Sequence, residues 1–220
     1  MKLRTIQEKW FGKFYDILKV VEPDRLAAPF FSVREYGSDL TSRRGILLVG
    51  KATAGAWCKD EFLAKSNRPL GERLQERCTA TLRHLEKMHI PPSSAFWRFW
   101  TGLCQLSPSV VWTNLAKIGV VGGNPSGVCL EMQSQLAIET LQAEIEVYDP
   151  QLIVIAGEYA KCEILYPIWP KDTWEGARHP EYCWIKGTHL RPSVLWVDHP
   201  ERKRKERISL WLEKARELLR

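Results

Sequence analysis

The sequence predicts an α/β fold, a three-layer α/β/α sandwich around a central four-stranded parallel sheet. Three observations predict it. Four short apolar runs, at residues 46–49, 110–115, 152–156 and 194–197, are rich in aliphatic or β-branched residues and too short for typical helices. Their ends fall at Gly50, Asn114, Gly157 and Asp198-His199-Pro200, where Gly, Asn, Asp and Pro favour turns. The stretches between them repeat apolar residues at helical spacing. Strands that are apolar on both faces and alternate with helices belong to parallel sheets joined by right-handed crossovers.

Taken in order, residues 5–21 place Ile6, Trp10, Phe14, Ile17, Leu18 and Val21 on one helical stripe, which Glu22-Pro23 ends. Residues 24–41 read as irregular and suited to covering a sheet edge. The first strand, 46–49, runs into a turn of small residues, Ala52, Thr53, Ala54 and Gly55, where a ligand can approach the backbone. Residues 60–85 read as mostly helical, broken at Ser66-Asn67-Arg68-Pro69. Pro91-Pro92 stops the next segment, and Ser93 or Ser94 caps a helix that begins near Ala95 and puts Phe96, Phe99, Trp100 and Leu103 on one side. After the second strand, residues 116–127 form a long loop containing Asn124-Pro125. Long ordered loops often carry function. Residues 130–148 read as a helix with Leu136, Ile138, Leu141, Ile145 and Val147 inward, ended by Asp149-Pro150. The third strand is followed by a short helix over 158–165, and residues 167–191 read as irregular. The fourth strand precedes an amphipathic helix over 205–219, through Ile208, Trp211, Leu212, Ala215 and Leu218. No repeat or linker interrupts the chain, so residues 1–220 form a single domain.

Composition narrows the setting. The chain has 220 residues, 45% hydrophobic and 26% charged, enough for a sizeable core. No run approaches the ~20 apolar residues that span a bilayer, and MKLRTIQEKW lacks the apolar centre of a signal peptide. The expectation is a cytoplasmic protein without a membrane partner, monomeric, with reduced thiols. The six cysteines form no C-x-x-C pair and have no suitably spaced histidine, so neither a metal nor a cofactor is expected. The net charge is +6. Residues 201–220 hold eight Lys/Arg against four Asp/Glu, a surplus that suits phosphates on a partner or simply a solvated helix face.

Four segments then take on a joint meaning. GKATAG at 50–55, WTNLAK at 112–117, LIVIAGEYA at 152–160 and VDHP at 197–200 come in this order, and each stands at a strand end. In this the chain resembles the uracil-DNA glycosylase superfamily, across about residues 43–207. There a GEAPG- or GQDPY-type turn follows the first strand, a strand ending in Asn reads the flipped base, and a strand ending in His-Pro contacts the base oxygen. The resemblance implies a glycosylase-like fold and removal of a deaminated or damaged base from single- or double-stranded DNA. It also implies that Asn114 reads the base and His199 stabilises the leaving base. The pocket would then be formed by Gly50, Lys51, Ala52, Thr53 and Gly55, with Trp57 or Phe62 stacking. Lys117, Arg202, Lys203 and Arg204 would contact DNA. The departures are specific. Lys51 and Ala52 stand where the family carries an acidic or amide residue, Thr53 replaces its proline, Ile118 stands where iron–sulfur members have cysteine, and Arg68-Pro69-Leu70 lacks a stacking phenylalanine.

The residue chemistry allows this reading and two others. An amide both donates and accepts, which suits a base edge. A fixed imidazole donor is worth most where negative charge develops. Asn114 could equally be a turn residue, and His199 a residue entering the last helix. His179-Pro180 lies in an irregular segment and reads as structural. A second reading is a catalytically inactive member of the same fold that binds nucleic acid or a nucleotide, since the first turn lacks its acid. Asp60 or Glu61 could restore a carboxylate. A third is a phosphate-binding loop, because residues 45–51 spell G-x-x-x-x-G-K. Its middle residues, Ile46, Leu47, Leu48 and Val49, suit a strand better than a phosphate cradle, and Ala52 replaces the hydroxyl residue.

Overall fold

The computed structural model describes residues 2–21, 26, 30, 32–34, 44–52, 95–175, 182–188, 190–201 and 203–220. The described elements are helix α1 (Lys2–Leu18), strands β1 (Val33–Arg34) and β2 (Ile46–Gly50), helix α2 (Ala95–Leu106), strand β3 (Val110–Asn114), helix α3 (Gly127–Tyr148), strands β4 (Leu152–Ala156), β5 (Tyr182–Ile185) and β6 (Ser193–Val197), and helix α4 (Lys205–Leu218). The strands form one mixed six-stranded sheet in the order β1-β3-β2-β4-β6-β5.

The four apolar runs become β2, β3, β4 and β6, which pair in parallel. The expected sheet of four parallel strands is therefore the inside of a wider, mixed one. β1 and β5 pair antiparallel at its two edges. β5 corrects the irregular reading of 167–191. Its four residues are all half-buried, so it shows no strict alternation to reveal it.

Inner strands with two buried faces need helices on both, and these are present. Leu47, Val49, Val111, Ile153, Ile155, Val194 and Trp196 pack towards α1 and α3, with Trp10, Phe14, Ile17, Leu136 and Leu141. Ile46, Leu48, Val110, Leu152, Val154, Leu195 and Val197 pack towards α2 and α4, with Phe99, Leu103, Ile208 and Trp211. The alternation follows from the two-residue period of a strand. Trp10 adds a polar tie across the α1–α3 contact, its indole donating to the Thr140 hydroxyl at 2.9 Å.

Helix α3 ends where the sequence implied. Asp149 takes a left-handed conformation, φ 41°, and its N–H donates to the Ile145 carbonyl. Its inner stripe is more polar than expected. Gln133, Thr140 and Glu144 are fully buried, while Val147 is 53% exposed. The short helix read at 158–165 is a π-turn, Lys161–Leu165, continued by Tyr166–Ile168. The helix expected over 60–85 and the caps Ser93 and Ser94 lie outside the described residues, as does His179-Pro180.

Candidate functional site

A parallel sheet gathers the carboxyl ends of its strands at one edge, and ligands of open α/β folds bind there. Here that edge carries Asn114 at the end of β3 and Gly50 at the end of β2, followed by Lys51 and Ala52. Gly157 follows β4, and His199 comes two residues after β6. Backbone bonds lock the edge together. Leu115 N–H donates to Gly50 O at 2.9 Å, Ala116 N–H to Lys51 O at 2.9 Å, and Gly157 N–H to Val197 O at 2.8 Å.

Asn114 is 3% exposed and lies opposite Gly50 in the ladder. A Cβ at Gly50 would come within 2.4 Å of Asn114 Oδ1 and 3.2 Å of Trp112 Nε1. Gly50 is thus the bare patch across which the amide and the indole lie. Trp112 and Asn114 are two apart on β3 and share a face. The Trp112 indole N–H is buried and has no hydrogen-bond partner among the described residues.

From Trp112 an aromatic wall runs towards His199. Phe30 lies 4.9 Å from Trp112, Phe96 5.2 Å and Trp97 5.8 Å, centroid to centroid. Phe96 in turn stacks on His199 at 6.4 Å and 20°. The first turn of α2 therefore bridges the ends of β3 and β6. Sequence reasoning put Phe96 on an apolar helix face and Trp112 inside a strand, and missed that both line this edge. The period of two from Asn114 was the signal that could have found Trp112.

His199 keeps 28% of its side chain exposed. Burial pushes its pKa below the usual imidazole range, and the nearby Lys51 charge adds to this. Glu201 opposes the shift, and Lys203 reinforces it. A neutral imidazole at pH 7 follows. The Glu201 N–H donates to Nδ1 at 3.3 Å, which leaves the ring proton on Nε2 as a donor. Lys51 is half-buried, and its stem crosses Gly157. Residues 46–50 are strand throughout, so they do not wrap a phosphate as the third reading required.

Lys117 is not a surface contact. It is fully buried, and its amine donates to both oxygens of Glu144 at 3.0 Å and to the Thr113 hydroxyl. Thr113 in turn donates to Glu144 at 2.9 and 3.0 Å. The expectation of a DNA contact here is corrected: a charge this deep needs an internal partner, and Glu144 supplies it. Burial still pulls the Lys117 pKa down against the pull of Glu144. Close by, Gln133 accepts from Ile118 N–H at 3.2 Å and donates to Ile118 O at 3.1 Å. Together these bonds fix the chain on both sides of Leu115 and Ala116.

Lys203 reaches the surface near the site but donates to Asp198 at 3.0 Å, and Arg207 lies 3.7 Å from the same oxygen. Arg204 is exposed at the start of α4. Thr53, Gly55, Trp57, Phe62 and Arg202 lie outside the described residues, as do Asp60 and Glu61.

No protein-family model matches this chain, and no curated protein matches it. Among the described residues, no helix is long and apolar enough to cross a membrane.

Proposed function

We propose that the chain is a uracil-DNA glycosylase-like protein that takes a flipped, deaminated or damaged base into this edge and cleaves its N-glycosidic bond. The observation that carries the reading is the run Asn114–Trp112–Phe96–His199 along one sheet edge, with Gly50 bare beneath the amide. A flipped base needs a flat surface to stack on, an amide to read its edge and a donor for its oxygen. The aromatic wall, Asn114 and the Nε2–H of His199 fill these roles.

In the reaction, the bond between the base nitrogen and C1′ breaks with its electron pair on the base, and water adds to C1′ and gives up a proton that ends on the departing base. A neutral imidazole that donates to the base oxygen stabilises that anion as it forms, without competing as an acid. Arg204, exposed at the start of α4, serves the phosphates, and a cytoplasmic location fits the expectation of reduced thiols.

Lys51 and Ala52 supply no carboxylate to activate water. That favours a second reading, a member of the same fold that binds nucleic acid or a nucleotide without cleaving it. The deciding assay follows abasic-site formation in oligonucleotides containing uracil, hypoxanthine or xanthine, for the wild type, Asn114→Ala and His199→Ala. Base release that is lost in both variants supports excision. Salt-sensitive binding without release from any substrate selects the second reading.

A further inference from the structure

We propose that Lys51 is a nucleophilic amine that forms an imine with the aldehyde of an abasic deoxyribose, which gives the edge a covalent activity on DNA. The inference rests on the base-excision reading and extends it from the base to the sugar.

Placement is the first argument. β2 lies between β3 and β4, with β6 beyond. Lys51, the first residue after β2, therefore stands between Asn114 and His199 along the edge. A base held by that amide and that imidazole brings its sugar to the same stretch.

The second argument is how the lysine is held. Gly157 has φ +115°, and a Cβ on it would lie 2.6 Å from Lys51 Cε and 3.2 Å from Cγ. The glycine leaves a track for the lysine stem, which limits where the amine can go. The third is availability. Lys117 is bound by Glu144 and Lys203 by Asp198. Among the described residues, no hydrogen bond or ion pair holds the Lys51 amine, and its charge is felt at His199. A lysine amine with no carboxylate partner among the described residues is free to attack a carbonyl carbon.

An abasic deoxyribose opens to an aldehyde at C1′. The Lys51 ammonium gives one proton to water, the amine adds to that carbon, the C–O bond breaks, and the oxygen leaves as water with the two remaining amine hydrogens. The imine makes the C2′ hydrogen acidic. Its loss to water leaves a pair that forms the C2′=C3′ bond, while the C3′–O bond breaks and its pair departs with the 3′ phosphate. Hydrolysis of the imine returns the lysine.

The test mixes the full chain with an oligonucleotide that already contains an abasic site, in the presence of cyanoborohydride, which reduces an imine to a stable amine. The expected result is a covalent adduct whose peptide mass maps to Lys51. Its yield falls roughly tenfold or more in Lys51→Gln and is unchanged in Lys9→Gln, an exposed lysine on α1. Because the wild-type adduct is itself mapped, the result does not depend on how the variant folds. Adducts only at other lysines overturn the proposal. So does wild-type binding to abasic DNA with no adduct, which would make Lys51 a phosphate contact. The substrate carries no base, so the two readings fail separately. An adduct at Lys51 without base release from any oligonucleotide ends base excision and upholds the imine, and base release without an adduct does the reverse.

Discussion

Replacing Glu144 by Gln removes one charge from a fully buried pair and leaves Lys117 inside with no counter-ion. Both groups are at or near 0% exposure, and the contacts are 3.0 Å, so neither water nor salt screens them. Breaking a pair of this kind costs about 3–5 kcal/mol, because the remaining charge stays desolvated. A domain of this size has about 5–15 kcal/mol in total, so the loss is a large share. At ~2–4 °C per kcal/mol, the melting temperature should fall by roughly 6–20 °C. The double variant Lys117→Met/Glu144→Gln removes both charges, and the Gln carbonyl still accepts from Thr113. It should lie within about 2 kcal/mol of the wild type, since a neutral replacement of a buried pair is often nearly free. Urea unfolding followed by the fluorescence of the buried Trp10 and Trp211 gives both numbers. A single variant that loses less than about 1 kcal/mol, or a double variant as unstable as the sum of the singles, refutes the reasoning.

The remaining predictions concern the edge itself. Because folding depresses the His199 pKa below its unfolded value near 6.5, the unfolded chain takes up the proton first as pH falls. The stability His199 contributes is full above about pH 6.5 and is lost as pH falls through the lower folded value; an NMR titration of the ring should show a midpoint below 6.5, and Lys51→Gln should raise it. Gly50→Ala pushes a methyl to within 2.4 Å of Asn114 Oδ1, so base binding should drop while unfolding by urea changes little beyond the ~1–3 kcal/mol of overpacking. The logarithm of DNA affinity should fall linearly with the logarithm of salt, and Arg204→Ala should lower that slope by about 1. Should the slope stay the same, Arg204 makes no phosphate contact.

The sheet was legible because its inner strands are apolar on both faces. Residues 46–49, 152–156 and 194–197 could be little else, and the observed strands match them to within a residue. The edge strands were not legible. β1 has two residues, and β5 sits half-buried among tryptophans and needs β6 beside it to exist. Asn114 and His199 could be placed at one edge from their positions after strands, since parallel strands must all end there. Lys117 was misread because a lysine three residues after a strand looks like a surface residue. Nothing local reveals that Glu144, twenty-seven residues on, waits beneath it. The α3 pattern hid this as well. Gln133 and Glu144 are eleven residues apart, which is close to three helical turns, so they share the inner stripe and dilute its apolar signal.

Those two buried polar residues hold the end of β3 from the α3 face. Thr113 and Asn114 are neighbours on β3 and so point to opposite faces of the sheet. On the α3 face, Glu144 and Lys117 hold Thr113, and Gln133 holds both backbone groups of Ile118. On the α2 face, that leaves the Asn114 amide beside Gly50 and Trp112 with its backbone fixed from behind. An apolar core under Thr113 would pack as well but would grip the strand end in no particular register, whereas hydrogen bonds fix distance and direction. The loss in Glu144→Gln should therefore reach the ligand as well as the fold. At a temperature where the variant is still fully folded, its base affinity should be weaker than that of Lys117→Met/Glu144→Gln, although neither substitution touches the ligand. Equal affinities would show that Asn114 is held by its own strand and owes nothing to the buried pair.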